Sequence, residues 1–167
     1  MRHRSLSLVT ALSALLAFST QARAEDVIST RLMTLELAND IAMAAVQACR
    51  DTGYQVSVVV VDRSAIPQVV LRDVKASRFT TEIALKKANA TILGGVSTGD
   101  FLSNRSDIAD TMNQLDEVLV LRGALPIEAA GSLLGAVGVS GALGGDKDEA
   151  CARKGLEAVA ERLAFVE

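Results

Sequence analysis

The sequence predicts an α+β domain in which a five-stranded antiparallel sheet is flanked by helices. Short runs rich in β-branched residues follow one another in groups joined by turn residues, which is typical of hairpins. Segments with apolar residues at helical spacing lie before, between and after these groups. The resulting order, α-β-β-α-(α)-β-β-β-α, lacks the regular alternation of strand and helix that parallel sheets show.

The first helix is predicted over residues 32–51, with Thr34 as its N-cap and Gly53 as its stop. Its core face is narrow and consists mainly of small residues at helical spacing: Leu35, Ala38, Ala42, Ala45 and Cys49. Met43 falls roughly 130° from the centre of that face, on the solvent side. A thioether there indicates a contact with a subunit or a ligand, although isolated surface methionines are also common.

Two strands are predicted next, over residues 55–61 and 66–72, and a turn at 62–65 joins them into a hairpin. Four successive valines at 58–61 indicate that the first strand is buried on both faces. Pro67 cannot donate a ladder hydrogen bond, which favours an edge or the start of the second strand.

Glycine and proline residues divide the rest of the chain. The predicted elements are a helix over 77–93, a short helix or ordered loop over 97–112, strands over 117–121, 127–130 and 133–141, and a final helix over 148–165. A turn is predicted at 123–126. Asp146, Asp148 and Glu149 suit the start of the last helix, where carboxylates offset the helix dipole, and do not indicate a metal cluster.

The N-terminal residues predict a secretory signal peptide over 1–24. Arg2 and Arg4 precede a short apolar run over 6–18, which ends at the cleavage pattern Ala22-Arg23-Ala24. The run is too short to span a bilayer, and no later segment predicts insertion into a membrane. We therefore expect residues 25–167 to form one periplasmic or secreted domain.

Composition excludes several function classes. The chain has 17 basic and 20 acidic residues, a formal net charge of −3, and the predicted signal peptide removes three of the arginines. This acidic balance argues against nucleic acid or anionic lipid as a partner. The single histidine, His3, lies in the predicted signal peptide, so the mature chain has no histidine for a catalytic triad, a zinc site or a haem.

Other residues allow two interpretations each. Cys49 and Cys151 either form a disulfide in an exported protein or pack separately as small core residues. Lys86 and Lys87 form either a solvated helix face or a pair of cations that holds a carboxylate. The glycine-rich stretch 131–145 matches no nucleotide-binding motif, and its glycines allow either a helix or a flat ligand to approach closely.

Several blocks of the sequence resemble the GlcG/HbpS-like family of haem-binding proteins. They are Leu35-Glu36, Ser57–Asp62, Lys87-Ala88, Gly123–Ile127, and Leu134–Gly141 followed by Asp148–Ala152. The resemblance covers residues 34–163 and implies a profilin-like domain with a five-stranded antiparallel sheet. It also implies assembly into homo-oligomers and a haem or related tetrapyrrole bound near a subunit interface.

The resemblance carries over Lys87, Gly123, Pro126, Gly138 and Gly141 as pocket or fold residues, and Met43 is added as a candidate ligand contact. It carries over no axial ligand, because some relatives bind haem through a histidine on the first helix and this chain has no histidine there. Relatives also have a glycine-rich turn where this chain has Arg63-Ser64-Ala65. The candidate axial side chains are then Met43 and Tyr54, followed by Met33 and Met112.

The sequence thus predicts a periplasmic, oligomeric protein that binds a small ligand, with haem as the leading ligand. Two alternatives remain open at this point. One is an accessory enzyme of small-metabolite oxidation that uses Lys87 and nearby acids as proton carriers, and the other is a ligand-free structural or signalling oligomer.

Overall fold

A four-stranded antiparallel sheet is covered by helices on both faces in a computed structural model that describes residue 26 and residues 28–164. The elements in chain order are α1 (Leu35–Asp51), β1 (Ser57–Asp62), β2 (Pro67–Arg72), α2 (Arg78–Gly94), α3 (Thr98–Asn104), α4 (Ser106–Met112), β3 (Ala124–Ala129), β4 (Ser132–Ser140), α5 (Gly145–Glu157) and α6 (Ala160–Ala164). The predicted signal peptide, residues 1–24, lies outside the described residues.

The strand order is β2-β1-β4-β3, and every neighbouring pair is antiparallel. The α+β class with flanking helices is therefore confirmed. The central strand β1 has its first five residues fully buried, as the run of valines predicts. One face of the sheet packs against α1 and α5, and the other packs against α2.

The prediction of a fifth strand over 117–121 is wrong. Backbone groups of this segment bond to α2 and to the residue that follows α4, and not to a neighbouring strand. The N–H of Leu119 donates to the Lys86 carbonyl oxygen of α2 at 3.1 Å. The N–H of Val120 donates to Asn113 Oδ1 at 2.7 Å. Val118 and Val120 of the segment pack in a separate small cluster with Phe101 and Ala109 rather than against the sheet.

The turn predicted at 123–126 is also wrong, since β3 begins at Ala124 and contains Pro126. Proline is tolerated there because β3 is an edge strand that pairs only with β4. The turn at 62–65 is confirmed by the Ala65 N–H, which donates to the Asp62 carbonyl oxygen at 3.0 Å.

The helices lie where they are predicted, but some of their bounds and buried residues differ from the prediction. Thr34 caps α1 by accepting the Leu37 N–H at 3.3 Å, as expected. Leu35 is exposed, however, and Ile41 fills the core face instead. The segment 97–112 forms two short helices that meet at Arg105, and the last helix is divided into α5 and α6.

Glycines bring the layers into close contact. A side chain at Gly138 of β4 would collide with the Ala84 carbonyl oxygen of α2, so a helix and not a ligand covers this strand position. On the other face, a Cβ at Gly155 of α5 would lie 2.6 Å from the Ile41 carbonyl oxygen of α1. A disulfide between Cys49 and Cys151, with a Cα–Cα distance of 5.4 Å, also joins α1 to α5.

Among the described residues, no helix has both the length and the apolar character needed to cross a membrane.

Candidate functional site

Lys87, one of the residues that the sequence singled out, belongs to a buried ion pair. Lys87 of α2 is 1% exposed, and its Nζ donates to Asp148 Oδ2 at 2.8 Å and to the Val139 carbonyl oxygen at 3.0 Å. Asp148 Oδ1 accepts the Ala142 N–H at 2.9 Å. The interpretation of Lys87 as part of a solvated face is wrong, because its charge is enclosed and fully engaged.

Two predicted glycines border elements that this pair connects. Gly123 has a φ of +131°, and a Cβ there would lie 2.7 Å from Lys87 Nζ. Gly141 has a φ of +128°, and a Cβ there would lie 2.9 Å from the Gln55 carbonyl oxygen. These contacts are internal: Gly123 lies against the ion pair that joins α2, β4 and α5, and Gly141 lies against the residues that precede β1.

The remaining predicted residues lie apart from the ion pair and from one another. Met43 is 45% exposed on α1, as predicted, whereas Met33 is buried. Pro126 lines a groove beside the edge strand, and Tyr54 lines a hollow where α1 approaches α5. These two cavities are compared below because each is lined by a predicted site residue.

The groove at Pro126, here called the β3 groove, has a volume of about 610 Å³. Its apolar wall includes Val96, Leu125, Leu156 and Leu163, and its polar residues are Ser97, Asp100, Glu128, Arg153 and Glu157. The single cation, Arg153, already donates to Glu149 at 3.2 Å. Asp100 and Glu128 thus line the groove, and Glu157 does so while paired with Lys154, so the acidic lining disfavours an anionic ligand.

The second cavity, here called the Tyr54 hollow, has a volume of about 420 Å³. Its lining is Ala48, Thr52, Tyr54, Lys147, Ala150, Cys151 and Lys154. The small side chains and the disulfide make an apolar floor, and the tyrosine and the two lysines supply the polar groups. This combination is typical of ligand sites, which are mostly apolar with a few convergent polar groups.

The local chain geometry explains why Tyr54 faces α5. Gly53, at a φ of +85°, ends α1, and the Tyr54 N–H returns to the Cys49 carbonyl oxygen at 2.9 Å. Lys147 Nζ donates to the Tyr54 hydroxyl oxygen at 2.8 Å and lies 5.0 Å from the ring centroid. Hydrogen bonding to Tyr54 raises the pKa of Lys147 above its ordinary value, so this cation is stabilised beside the phenol.

Sequence analysis missed both lysines of the hollow. A signal was present, because residues 147 and 154 are seven apart and therefore share one face of α5. Lys147 bonds directly to Tyr54, whereas Lys154 pairs with Glu157. The hollow can accordingly hold an anion with an apolar body and present a phenolic oxygen to it.

Residues 33–157 match the family model described as haem degrading protein HbpS-like. The chain belongs to the HbpS-like family. The resemblance that the sequence blocks indicated is therefore confirmed. A search of curated protein sequences finds no match.

Solved structures of HbpS are similar to this chain. One is 36% identical, covers 83% of this chain and 97% of its own, and has a TM-score of 0.75. A double mutant of HbpS from Streptomyces reticuli is 35% identical over 83% of this chain and 94% of its own, also with a TM-score of 0.75.

A third similar structure is a complex of PduOC with haem. It is 22% identical, covers 77% of this chain and 95% of its own, and has a TM-score of 0.69. At this identity the likeness shows a shared fold only.

Proposed function

We propose that this HbpS-like chain is an exported haem-binding protein and that the Tyr54 hollow is its haem site. The donor set of the hollow carries the proposal, because a phenolic oxygen, two ammonium groups and an apolar floor converge there. The family description and the haem complex of a structural neighbour support haem as the ligand.

The residues of the hollow fit the chemistry of haem. Haem has an apolar ring, two propionates and an iron that takes tyrosine oxygen as one of its known protein ligands. Tyr54 would supply that oxygen. Lys147 and Lys154, which now bond to Tyr54 and Glu157, would exchange these partners for the propionates. The hollow's 420 Å³ lies within the range of about 300–1,000 Å³ that is usual for small-molecule sites. Bound haem supplies one-electron and oxygen chemistry, whereas the chain supplies binding and orientation.

Electrostatics favour the hollow over the β3 groove. The groove presents Asp100, Glu128 and Glu157 to any occupant, and these carboxylates would repel the propionates. Lys87, the proposed proton carrier of an enzyme, is 1% exposed and paired with Asp148, so we assign it no role toward a substrate.

Replacing Tyr54 by Phe should weaken haemin binding by about tenfold to a hundredfold, since the variant loses the ligating oxygen but keeps the ring. The absorption spectrum of the bound haemin should also change. Titration of the mature chain with haemin, followed in the Soret region, measures both effects. Lys147→Met should weaken binding only roughly threefold to fivefold, because it removes an exposed charge contact. It should shift the spectrum less than Tyr54→Phe does, since the ligating oxygen stays and only its 2.8 Å hydrogen bond is lost.

Met43→Leu is the matched control, because Met43 is the other candidate axial ligand and is 45% exposed on a different part of α1. We expect it to bind haemin as the unmodified chain does. A Met43 variant with an altered spectrum, beside a Tyr54 variant that binds normally, would refute the assignment of the hollow.

Export and self-association are further parts of the proposal. A disulfide suits an oxidising compartment, as the predicted signal peptide does. Exposed apolar side chains on β2, α2 and nearby loops favour contact with a second copy: Ile66, Val70, Leu93 and Leu115. Light scattering of the purified mature chain should give the mass of a dimer or a larger assembly, and the mass of a monomer would contradict this expectation.

A further inference from the structure

Three loops converge at one end of the sheet, here called the loop end. They are residues 52–56 before β1, 73–77 after β2 and 141–144 after β4. The register brings them together, because Ser57 at the start of β1 pairs with Arg72 at the end of β2 and with Ser140 at the end of β4. The start of α2 joins this end through the Ser57 Oγ, which lies 2.8 Å from Thr80 Oγ1.

The loop end carries large apolar side chains that are exposed to solvent. Val74 is 84% exposed, Leu143 is 87% exposed, and Phe79 at the start of α2 is 55% exposed. Leu143 also has a φ of +56°, a left-handed backbone conformation that residues other than glycine adopt rarely. A leucine that is both solvent-exposed and strained contributes nothing to the core, and such outliers concentrate at functional positions.

Positive charge surrounds these apolar side chains. Arg72, Lys75, Arg78 and Lys147 are all exposed at this end. The carboxylates that face them are Asp51 and Asp146, since Asp73 is engaged by Arg50 and Asp148 by Lys87. The loop end is therefore cationic although the whole chain has a net charge of −3.

We propose that the loop end docks on the surface of an anionic lipid bilayer. Cations at the headgroup level and apolar side chains in the acyl boundary are the two contributions that bind peripheral proteins to such membranes. Val74 and Leu143 belong to separate loops and protrude almost completely, whereas a protein partner would require a contiguous apolar patch. The net negative charge of the chain does not oppose this docking, because positive charge is concentrated at the loop end.

This inference goes beyond haem binding and does not depend on it. Tyr54 and Lys147 lie at the same end, so a docked molecule would hold the Tyr54 hollow near the membrane surface. Peripheral docking involves no helix that crosses the bilayer.

Vesicle co-sedimentation of the haem-free mature chain tests the proposal. We expect binding to vesicles of equal parts phosphatidylcholine and phosphatidylglycerol, and little binding to phosphatidylcholine alone. Raising the salt to about 1 M should abolish the binding, since the screening length falls to about 3 Å. Lys75→Glu should weaken it about fivefold or more, and Val74→Ser combined with Leu143→Ser should weaken it roughly tenfold or more.

The hairpin between β1 and β2 lies at the opposite end of the sheet and offers a matched control. Arg63→Glu reverses the charge of an exposed cation there and should leave vesicle binding unchanged. Circular dichroism establishes that each variant is folded.

Absence of binding to both vesicle types would overturn the proposal, and so would equal losses in the loop-end and hairpin variants. A fall in oligomer mass on Leu143→Ser, without vesicle binding by the unmodified chain, would assign the surface to a second copy instead. None of these results bears on haemin titration, so the two proposals fail separately.

Discussion

Replacing Lys87 by Met should lower the free energy of unfolding by about 3–5 kcal/mol, because removal of one partner leaves the other buried charge uncompensated. Asp148 is 4% exposed, so solvent cannot replace the lost ammonium. The Val139 carbonyl oxygen would also lose the donor that now lies 3.0 Å away. Urea denaturation followed by circular dichroism measures the change.

A second substitution separates the charge from the packing. In Lys87→Met combined with Asp148→Asn, the amide oxygen can still accept the Ala142 N–H, and no buried charge remains. We expect the double variant to regain more than half of the lost free energy, as buried pairs often do when both charges are removed.

The neighbouring lysine is the control for Lys87. Lys86 forms an i,i+4 pair with Glu82 on the surface of α2, and such pairs contribute about 0.3–0.5 kcal/mol. Lys86→Met should therefore have almost no effect. A loss of less than about 1 kcal/mol in Lys87→Met would mean that the pair does not hold the layers together.

Local patterns predicted most of the fold because they depend on residues close in the sequence. The valines of β1, the hairpin turn and the Thr34 cap are of this kind. The error at 117–121 has a different origin, since a short apolar run fits a strand and a packed loop equally well. Its partner atoms, on Lys86 and Asn113, could not be inferred from the run itself.

The site depends on contacts between distant residues, which patterns predict poorly. Tyr54 is a candidate from composition alone, because few ligating side chains remain without histidine. Its neighbour Lys147 is separated from it by 93 residues. The burial of Lys87 could not be predicted either, because its partner Asp148 is 61 residues away. In the sequence, Asp148 has the pattern of an acidic residue at the start of a helix.

Removing the disulfide with Cys49→Ala and Cys151→Ala should lower the free energy of unfolding by about as much as Lys87→Met does. The two cysteines are separated by 102 residues. Closing a loop of about 100 residues stabilises a chain by about 4–5 kcal/mol in the chain-entropy model, because the crosslink restricts the unfolded ensemble.

The packing around the disulfide adds to the loss of stability in the double alanine variant. Cys49 and Cys151 are 0% and 5% exposed, so alanine leaves unfilled space between α1 and α5. Reduction of the unmodified chain before denaturation should reproduce most of the loss, which distinguishes the crosslink from the cavity. An unchanged urea midpoint in the reduced chain, together with two titratable thiols, would show that close packing of α1 against α5 is sufficient to join these helices.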